Sequence, residues 1–230
     1  MSKWNYYKLR NYLFSHNNIG CLLEKGIIEQ VDINALNKFG QTIFIRASKF
    51  GLNYSTLNII VKLNGNLNIQ DNQGFTSLMI ACKYDCSDSL NSLLEFNVDV
   101  NIVNAKGNNA LMIAIKYKNY ESVKKILDYD VDIDHKNKNN DTALSLASKH
   151  CDLEIIKKCI KPDIINIKNN LGYTPLSYAC EYNNNNFVKL LLSEYIEYFT
   201  VDDLLKAAIK AGKNRYFEIV ELLIIAIEKK

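Results

Sequence analysis

A glycine and an alanine recur along this chain at nearly constant intervals. The glycine positions, with asparagine at one of them, are Gly40, Gly74, Gly107, Asn140 and Gly172, spaced by 34, 33, 33 and 32 residues. The alanines Ala47, Ala81, Ala114, Ala147 and Ala179 repeat at the same spacings. Self-similarity with this period is the signature of a repeat protein, whose units bury their apolar faces only against one another. The recurrence therefore predicts a solenoid.

The segment 71–101 shows one full unit. A polar turn at 71–74 precedes a helical pattern at 76–84, then a break, a second helical pattern at 88–96 and an extended run at 98–101. Both helices are shorter than the roughly 12–15 residues that an isolated helix needs in water. We therefore expect each helix pair to be stable only when it is stacked on its neighbours.

Three segments carry a motif that can be compared with a known family. They read GFTSLMIA at 74–81, NDTALSLA at 140–147 and GYTPLSYA at 172–179. They resemble the core motif of ankyrin repeats, a Gly-x-Thr-Pro-Leu pattern that ends in alanine, and the period agrees with that family. The resemblance implies an all-α fold, an ankyrin-repeat solenoid of stacked antiparallel helix pairs with β-hairpin-like turn tips. For function it implies a binding scaffold.

The repeat register predicts how the chain is divided. We expect an N-terminal capping partial repeat at 1–36, ankyrin repeats at 37–199 that start near 37, 71, 104, 137 and 169, and a degenerate C-terminal capping repeat at 200–230. Helix-capping residues are expected at Thr42, Thr76, Asn109, Thr142 and Thr174. Asn64, Asn97 and Asp130 replace the glycine that the family has after its second helix, so a left-handed backbone is expected at all three.

Composition and cysteine usage predict the compartment. The net charge of +3 is too small to imply a nucleic-acid partner by itself, and the longest apolar run, 222–227, is too short for a membrane span. Cys82 and Cys180 occupy equivalent places three repeats apart, too far for a disulfide, so both are expected to be reduced core residues. We expect an intracellular, cytoplasmic protein with no membrane partner, and the nucleus stays an alternative.

Catalytic and metal-binding patterns are missing from the sequence. The three histidines and six cysteines do not fall at metal-ligand spacing, and no phosphate-binding glycine loop or Ser/His/Asp constellation is present. We therefore expect no enzyme activity, no metal and no cofactor.

The candidate binding residues follow from the resemblance, because the turn tips and the ends of the first helices line one concave face in ankyrin repeats. A lysine beside a ring stands two residues after each motif alanine, except that the last pair has glutamate. We call these pairs the ladder: Lys49-Phe50, Lys83-Tyr84, Lys116-Tyr117, Lys149-His150 and Glu181-Tyr182. The predicted partner-binding residues are Phe39, Lys49, Phe50, Phe75, Lys83, Tyr84, Lys106, Lys116, Tyr117, Lys138, Lys149, His150, Tyr173 and Tyr182.

The charge of this predicted face favours an acidic protein partner. Its lysines are Lys38, Lys49, Lys83, Lys106, Lys116, Lys136, Lys138, Lys149 and Lys168, against the carboxylates Asp141 and Glu181. An alternative is nucleic-acid binding through the same ladder. That alternative is disfavoured because arginine dominates base recognition, and Arg10, Arg46 and Arg215 are all expected off the face. In a second alternative, the rings simply pack on the next repeat.

Two weaker inferences concern the partner. The composition, rich in Asn, Ile, Lys and Tyr, resembles that of ankyrin-repeat proteins from large DNA viruses, intracellular bacteria and some protists. A host protein is therefore one candidate partner, in the host cytoplasm if the source is viral. The apolar run Ile224, Ile225, Ala226 and Ile227 indicates either a wider core contact or self-association through the C-terminal helix.

Overall fold

The structure is a computed structural model that describes residues 32–230, so the predicted cap at 1–36 lies almost entirely outside the described residues. The chain forms two compact units, Met1–Ser122 and Val123–Lys230, and each is described here by itself. The described part is helical, and residues 32–230 contain no strand. The expected all-α ankyrin solenoid is confirmed. The division into caps and repeats stays a prediction.

Twelve α-helices make up residues 32–230. They are α1 (Ile43–Ala47), α2 (Tyr54–Lys62), α3 (Ser77–Tyr84), α4 (Ser87–Glu95), α5 (Ala110–Lys116), α6 (Tyr120–Ile126), α7 (Ala143–Ala147), α8 (Leu153–Cys159), α9 (Pro175–Glu181), α10 (Asn185–Glu194), α11 (Val201–Lys213) and α12 (Phe217–Glu228). Short 3-10 helices lie at Pro162–Ile164 and Ile196–Tyr198, the first where the fourth repeat carries its proline.

The first helix of each repeat begins at a side-chain cap. The capping oxygen accepts a hydrogen bond from the backbone N–H three residues later, which satisfies a donor that has no partner inside the helix. The five caps are Thr42, Thr76, Asn109, Thr142 and Thr174, as the sequence predicts. The C-terminal pair begins the same way, because Thr200 and Asp203 form a capping box at the start of α11.

The turn tips are hydrogen-bonded hairpin-like turns. In the second repeat, the Asp71 N–H donates to the Phe75 carbonyl at 3.0 Å, and the Gly74 N–H donates to the Asp71 carbonyl at 2.7 Å. Gly74 needs its left-handed φ of +78°, and a Cβ there would lie only 2.6 Å from the backbone nitrogen of Ala105. Glycine at this position therefore serves both the turn and the close approach of the next tip.

The core of each unit is built from the apolar motif residues. Phe44, Leu78, Leu111, Leu144 and Leu176 are all buried, and so are the motif alanines except Ala47, which is half-buried. In the first unit α3 contacts α1 and α5, and in the second unit α9 contacts α7 and α11. Alanine at these contacts lets neighbouring helices approach closely, and a larger side chain would overpack them.

One backbone prediction is wrong. Asn64 and Asn97 have the expected left-handed φ values of +57° and +50°, but Asp130 does not have a positive φ. The Val131 N–H donates to the Tyr129 carbonyl at 2.7 Å, which closes a three-residue turn around Asp130. Such a turn with negative φ is an inverse γ-turn, and it reverses the chain without the left-handed conformation.

The cysteines of the described part are free, and Cys82, Cys151, Cys159 and Cys180 are buried. Burial raises the pKa of the Cys151, Cys159 and Cys180 thiols to about 12, so these groups stay protonated and unreactive near neutral pH. From residue 32 onward, no helix has the length and apolarity that crossing a membrane requires.

Candidate functional site

In the first unit, the ladder alternates cations and rings across neighbouring repeats. The Lys49 ammonium lies 4.5 Å from the centroid of the Phe50 ring and 5.7 Å from that of Tyr84. Lys83 in turn lies 5.3 Å from the Tyr84 centroid and 5.5 Å from that of Tyr117. Each of these lysines thus contacts the ring of its own repeat and the ring of the next, within cation–π distance.

The rings of this unit are open to solvent. The exposed fraction is 63% for Phe50, 52% for Tyr84 and 41% for Tyr117, and Phe39 at the first tip is also exposed. Aromatic side chains with an apolar body and a polar tip are enriched among the residues that dominate binding interfaces. The first unit therefore presents a row of rings that a partner can reach.

Two clefts lie along this row, one repeat apart. Cleft 1, of about 320 Å³, is lined by Phe39, Gln41, Ile45, Arg46, Lys49, Ile80 and Tyr84. Cleft 2, of about 340 Å³, is lined by Gln73, Phe75, Lys83, Asn104, Ala105, Lys106, Asn108, Ile113, Lys116 and Tyr117. The two are built from equivalent positions, since Ile80 and Ile113 both precede the motif alanine and Tyr84 and Tyr117 both belong to the ladder.

The clefts are positively charged. Arg46 and Lys49 line cleft 1, and Lys83, Lys106 and Lys116 line cleft 2, whereas none of the described residues that line either cleft is acidic. The prediction that Arg46 lies off the face is wrong. Arg46 lies in the last turn of α1 and lines cleft 1 together with Lys49, which follows the end of the helix.

The second unit fills the equivalent space with its own side chains. Tyr178 stands before the motif alanine, where the first unit has Ile80 and Ile113, and only 7% of its surface is exposed. Its ring centroid lies 5.0 Å from that of Tyr173, and the Lys149 ammonium lies 4.0 Å from the Tyr178 centroid. Lys149 thus covers a buried ring, and it also lies 5.9 Å from the centroid of the exposed Tyr182 ring.

A polar network holds Tyr178 in place. Its hydroxyl donates to Asp141 Oδ1 at 3.1 Å and accepts from Asn169 Nδ2 at 2.7 Å, while the same Asn169 nitrogen lies 2.9 Å from Asp141 Oδ1. Burial raises the pKa of the Tyr178 phenol, and the neighbouring Asp141 carboxylate raises it further. The phenol therefore remains a hydrogen-bond donor at any physiological pH.

The remaining ladder positions of this unit are also engaged internally. His150 and Tyr182 meet edge to face, with their ring centroids 4.8 Å apart. Glu181, the position of reversed sign, is paired with Lys210 at 3.3 Å, and the Lys210 ammonium lies 3.0 Å from the Tyr173 centroid. The fifth repeat has glutamate where the other repeats have the ladder lysine. Lys210, which belongs to α11, therefore supplies the cation at this point.

The structure divides the predicted site residues between the two units. The first unit holds Phe39, Lys49, Phe50, Phe75, Lys83, Tyr84, Lys106, Lys116 and Tyr117, and the second holds Lys138, Lys149, His150, Tyr173 and Tyr182. Sequence reasoning missed Arg46, Tyr178 and Lys210. The sequence does distinguish Tyr178, because its side chain is the largest of the five that precede a motif alanine.

Comparison with known proteins identifies the class. The family described as Ankyrin repeats (3 copies) matches the overlapping segments 11–104, 53–137, 86–160, 111–202 and 144–230. These matches cover most of the chain, which therefore belongs to the ankyrin-repeat family. A comparison with curated protein sequences finds no match.

A solved structure shares the fold. The chain is similar to one chain of the complex of the predatory endopeptidase Bd0816 from Bdellovibrio bacteriovorus with immunity protein Bd3460. The TM-score is 0.66 at 22% identity, and the match covers 82% of this chain and 97% of that one. At this identity the likeness shows the fold alone.

Proposed function

We propose that this ankyrin-repeat chain is a non-enzymatic protein-interaction module whose first-unit ladder grips an acidic, partly extended segment of a partner protein. Membership of the family supports the interaction role, because stacked repeats form extended binding surfaces. One observation carries the choice of partner: five cations and no carboxylate line two clefts between exposed rings. An acidic segment would neutralise this charge while its apolar atoms pack on the rings.

The structural neighbour supports the general role, since its solved structure is a protein–protein complex. A host protein as the partner, and the cytoplasm as the place of binding, remain part of the proposal. Nucleic-acid binding is the competing function. One observation favours nucleic-acid binding: Arg46 lines cleft 1 beside Tyr84, where its guanidinium can stack on a base or donate hydrogen bonds to it.

A salt titration separates the two functions. The full chain would be titrated by fluorescence anisotropy against a labelled glutamate-rich peptide, heparin and single-stranded DNA. We expect the peptide to bind, with an affinity that falls as salt rises and falls further in Lys83→Gln with Lys116→Gln. Lys62→Gln is the matched control, because Lys62 is an exposed lysine at the end of the second helix α2.

Two results would contradict the proposal. Binding to DNA that is tighter than binding to the peptide, with a steep salt dependence, would favour the nucleic-acid function. No salt-sensitive binding to any of the three probes would remove the ladder as a charged binding surface.

Self-association through the C-terminal helices is a separate proposal. Val201, Leu205 and Ile209 form an exposed apolar row on α11, and Ile224 and Ile225 are exposed on α12. We propose that a second copy covers part of this surface. Sedimentation velocity over a concentration series tests it: Leu205→Glu should abolish a dimer of the parent chain, and a parent chain that stays monomeric throughout contradicts the proposal.

A further inference from the structure

We propose that the two clefts bind acidic side chains that stand three residues apart in a partner segment with polyproline II conformation. The inference rests on the proposed function and specifies the spacing and backbone shape of the acidic segment. It is carried by the equivalence of clefts 1 and 2 and by the distance that one repeat sets between them.

The clefts present the same arrangement twice. A lysine of the ladder lines each, Lys49 in cleft 1 and Lys83 in cleft 2, and the exposed tyrosine of the next repeat closes each. Equivalent points on packed helices are about 8–10 Å apart. A single segment that occupies both clefts must therefore place two like side chains on one side of its backbone at about that distance.

Polyproline II matches this distance best among extended conformations. It has three residues per turn and rises about 3.1 Å per residue, so residues i and i+3 share a side and lie about 9.3 Å apart. In a β-strand, side chains share a face at i and i+2, about 6.6–6.8 Å apart, or at i and i+4, about 13 Å apart. Neither strand spacing fits one repeat.

The chemistry of the lining also fits a polyproline II segment. Such segments bind in grooves lined with aromatic side chains, and their conformation costs little entropy to fix. Phe39 and Tyr84 line cleft 1, and Phe75 and Tyr117 line cleft 2. The rings can pack against prolines while the ammonium and guanidinium groups meet the carboxylates.

A helical segment is the main competitor, because residues i and i+7 of an α-helix share a face at about 10.5 Å. The test therefore includes it. Four peptides of matched charge would be titrated with the full chain by calorimetry: three proline-rich peptides with glutamates two, three or four residues apart, and one alanine-rich helical peptide with glutamates seven apart. We expect the three-residue spacing to bind about tenfold tighter or more than the others.

Double-mutant cycles assign the register within the best peptide. Lys49→Ala removes the ladder lysine of cleft 1 and Lys83→Ala removes the equivalent lysine of cleft 2. Each protein variant would be titrated with two further peptides. In one, glutamine replaces the first glutamate, and in the other, glutamine replaces the glutamate three residues later. We expect Lys49 to couple to one glutamate and Lys83 to the glutamate three residues away, with additive effects in the crossed combinations and for the Lys62→Ala control.

The outcomes are distinguishable. Equal affinities for all spacings, with a loss of binding in the lysine variants, would overturn the three-residue register and leave the proposed function standing. Tighter binding of the helical peptide would overturn the polyproline II conformation. Absence of binding by every peptide would overturn both this inference and the acidic-partner proposal.

Discussion

The ladder runs through both units, with Glu181 in place of one lysine in the second, but its lysines meet different rings in each. In the first unit Lys49 and Lys83 lie over rings that are open to solvent. In the second unit Lys149 lies over Tyr178, which is buried and bonded to Asp141. The same ladder positions therefore border open clefts in the first unit and a buried tyrosine ring in the second.

The difference arises at one position, the residue before the motif alanine. Isoleucine at Ile80 and Ile113 leaves the clefts open, whereas Tyr178 reaches across to the polar groups of the preceding tip. The second unit thus packs the Tyr178 ring, which is not part of the ladder, whereas the ladder ring of Tyr182 is 43% exposed. The proposed binding surface accordingly lies in the first unit.

Truncating a core leucine should have the largest effect on stability, and the loss should be the same in both units because the cores are alike. Leu111→Ala and Leu176→Ala each remove a buried side chain and should lower the free energy of unfolding by roughly 2–5 kcal/mol. Urea denaturation measures it. Val61→Ala, at an exposed site of α2, is the control and should be nearly neutral. A small effect of either core variant would contradict the equivalence of the cores.

Glycine substitutions test how closely the tips pack. Gly74 and Gly172 have nearly the same φ, +78° and +77°, so alanine should strain either backbone by about 1–2 kcal/mol. Only at Gly74 would the new Cβ also meet backbone, since no atom lies within 4 Å of it at Gly172. Gly74→Ala should therefore lower the unfolding free energy more than Gly172→Ala. Equal losses would show that the tips have the same freedom in both units.

Removing one hydroxyl tests the filled cleft. Tyr178→Phe leaves Asp141 and Asn169 with one hydrogen-bond partner fewer in a buried site, which should cost about 1–3 kcal/mol of stability. Tyr182→Phe is the matched control on an exposed ring of the same cluster and should change stability by less than about 0.5 kcal/mol. Equal effects of the two would mean that the Tyr178 network does not stabilise the second unit.

Transferring the tyrosine to the first unit should change binding more than stability. Ile80→Tyr would fill cleft 1, where the lining residue Gln41 donates to Asp71 Oδ2 at 3.2 Å. Gln41 and Asp71 hold the positions that Asp141 and Asn169 hold in the second unit. We expect the acidic peptide to lose about tenfold in affinity, with a melting temperature close to that of the parent. Unchanged affinity would show that cleft 1 takes no part in binding.

Much of the fold could be predicted from local sequence. The caps at Thr42 and Thr76 and the left-handed glycines depend on neighbours within a few residues, so a repeated motif reveals them. Asp130 was mispredicted because an inverse γ-turn reverses the chain equally well and leaves no distinct sequence signal.

The site was less predictable because its character depends on contacts between repeats. Arg46 lines cleft 1 with Ile80 and Tyr84 of the next repeat, so its place on the face depends on how the two repeats pack. The pairing of Glu181 with Lys210, and of Tyr178 with Asp141, joins residues about one repeat apart in sequence. No local pattern distinguishes such a contact from an open cleft.

One measurement tests the central claim that the first-unit ladder binds, whereas the equivalent space in the second unit is filled by the buried Tyr178 ring. Affinity for the glutamate-rich peptide and melting temperature would be measured on two double variants, Tyr84→Ala with Tyr117→Ala and Tyr178→Ala with Tyr182→Ala. The first pair is exposed, so it should lose binding with a nearly unchanged melting temperature. The second should melt at a clearly lower temperature, because it removes the buried Tyr178 ring. A large drop in melting temperature for the first pair, or peptide binding that survives it, would contradict the account.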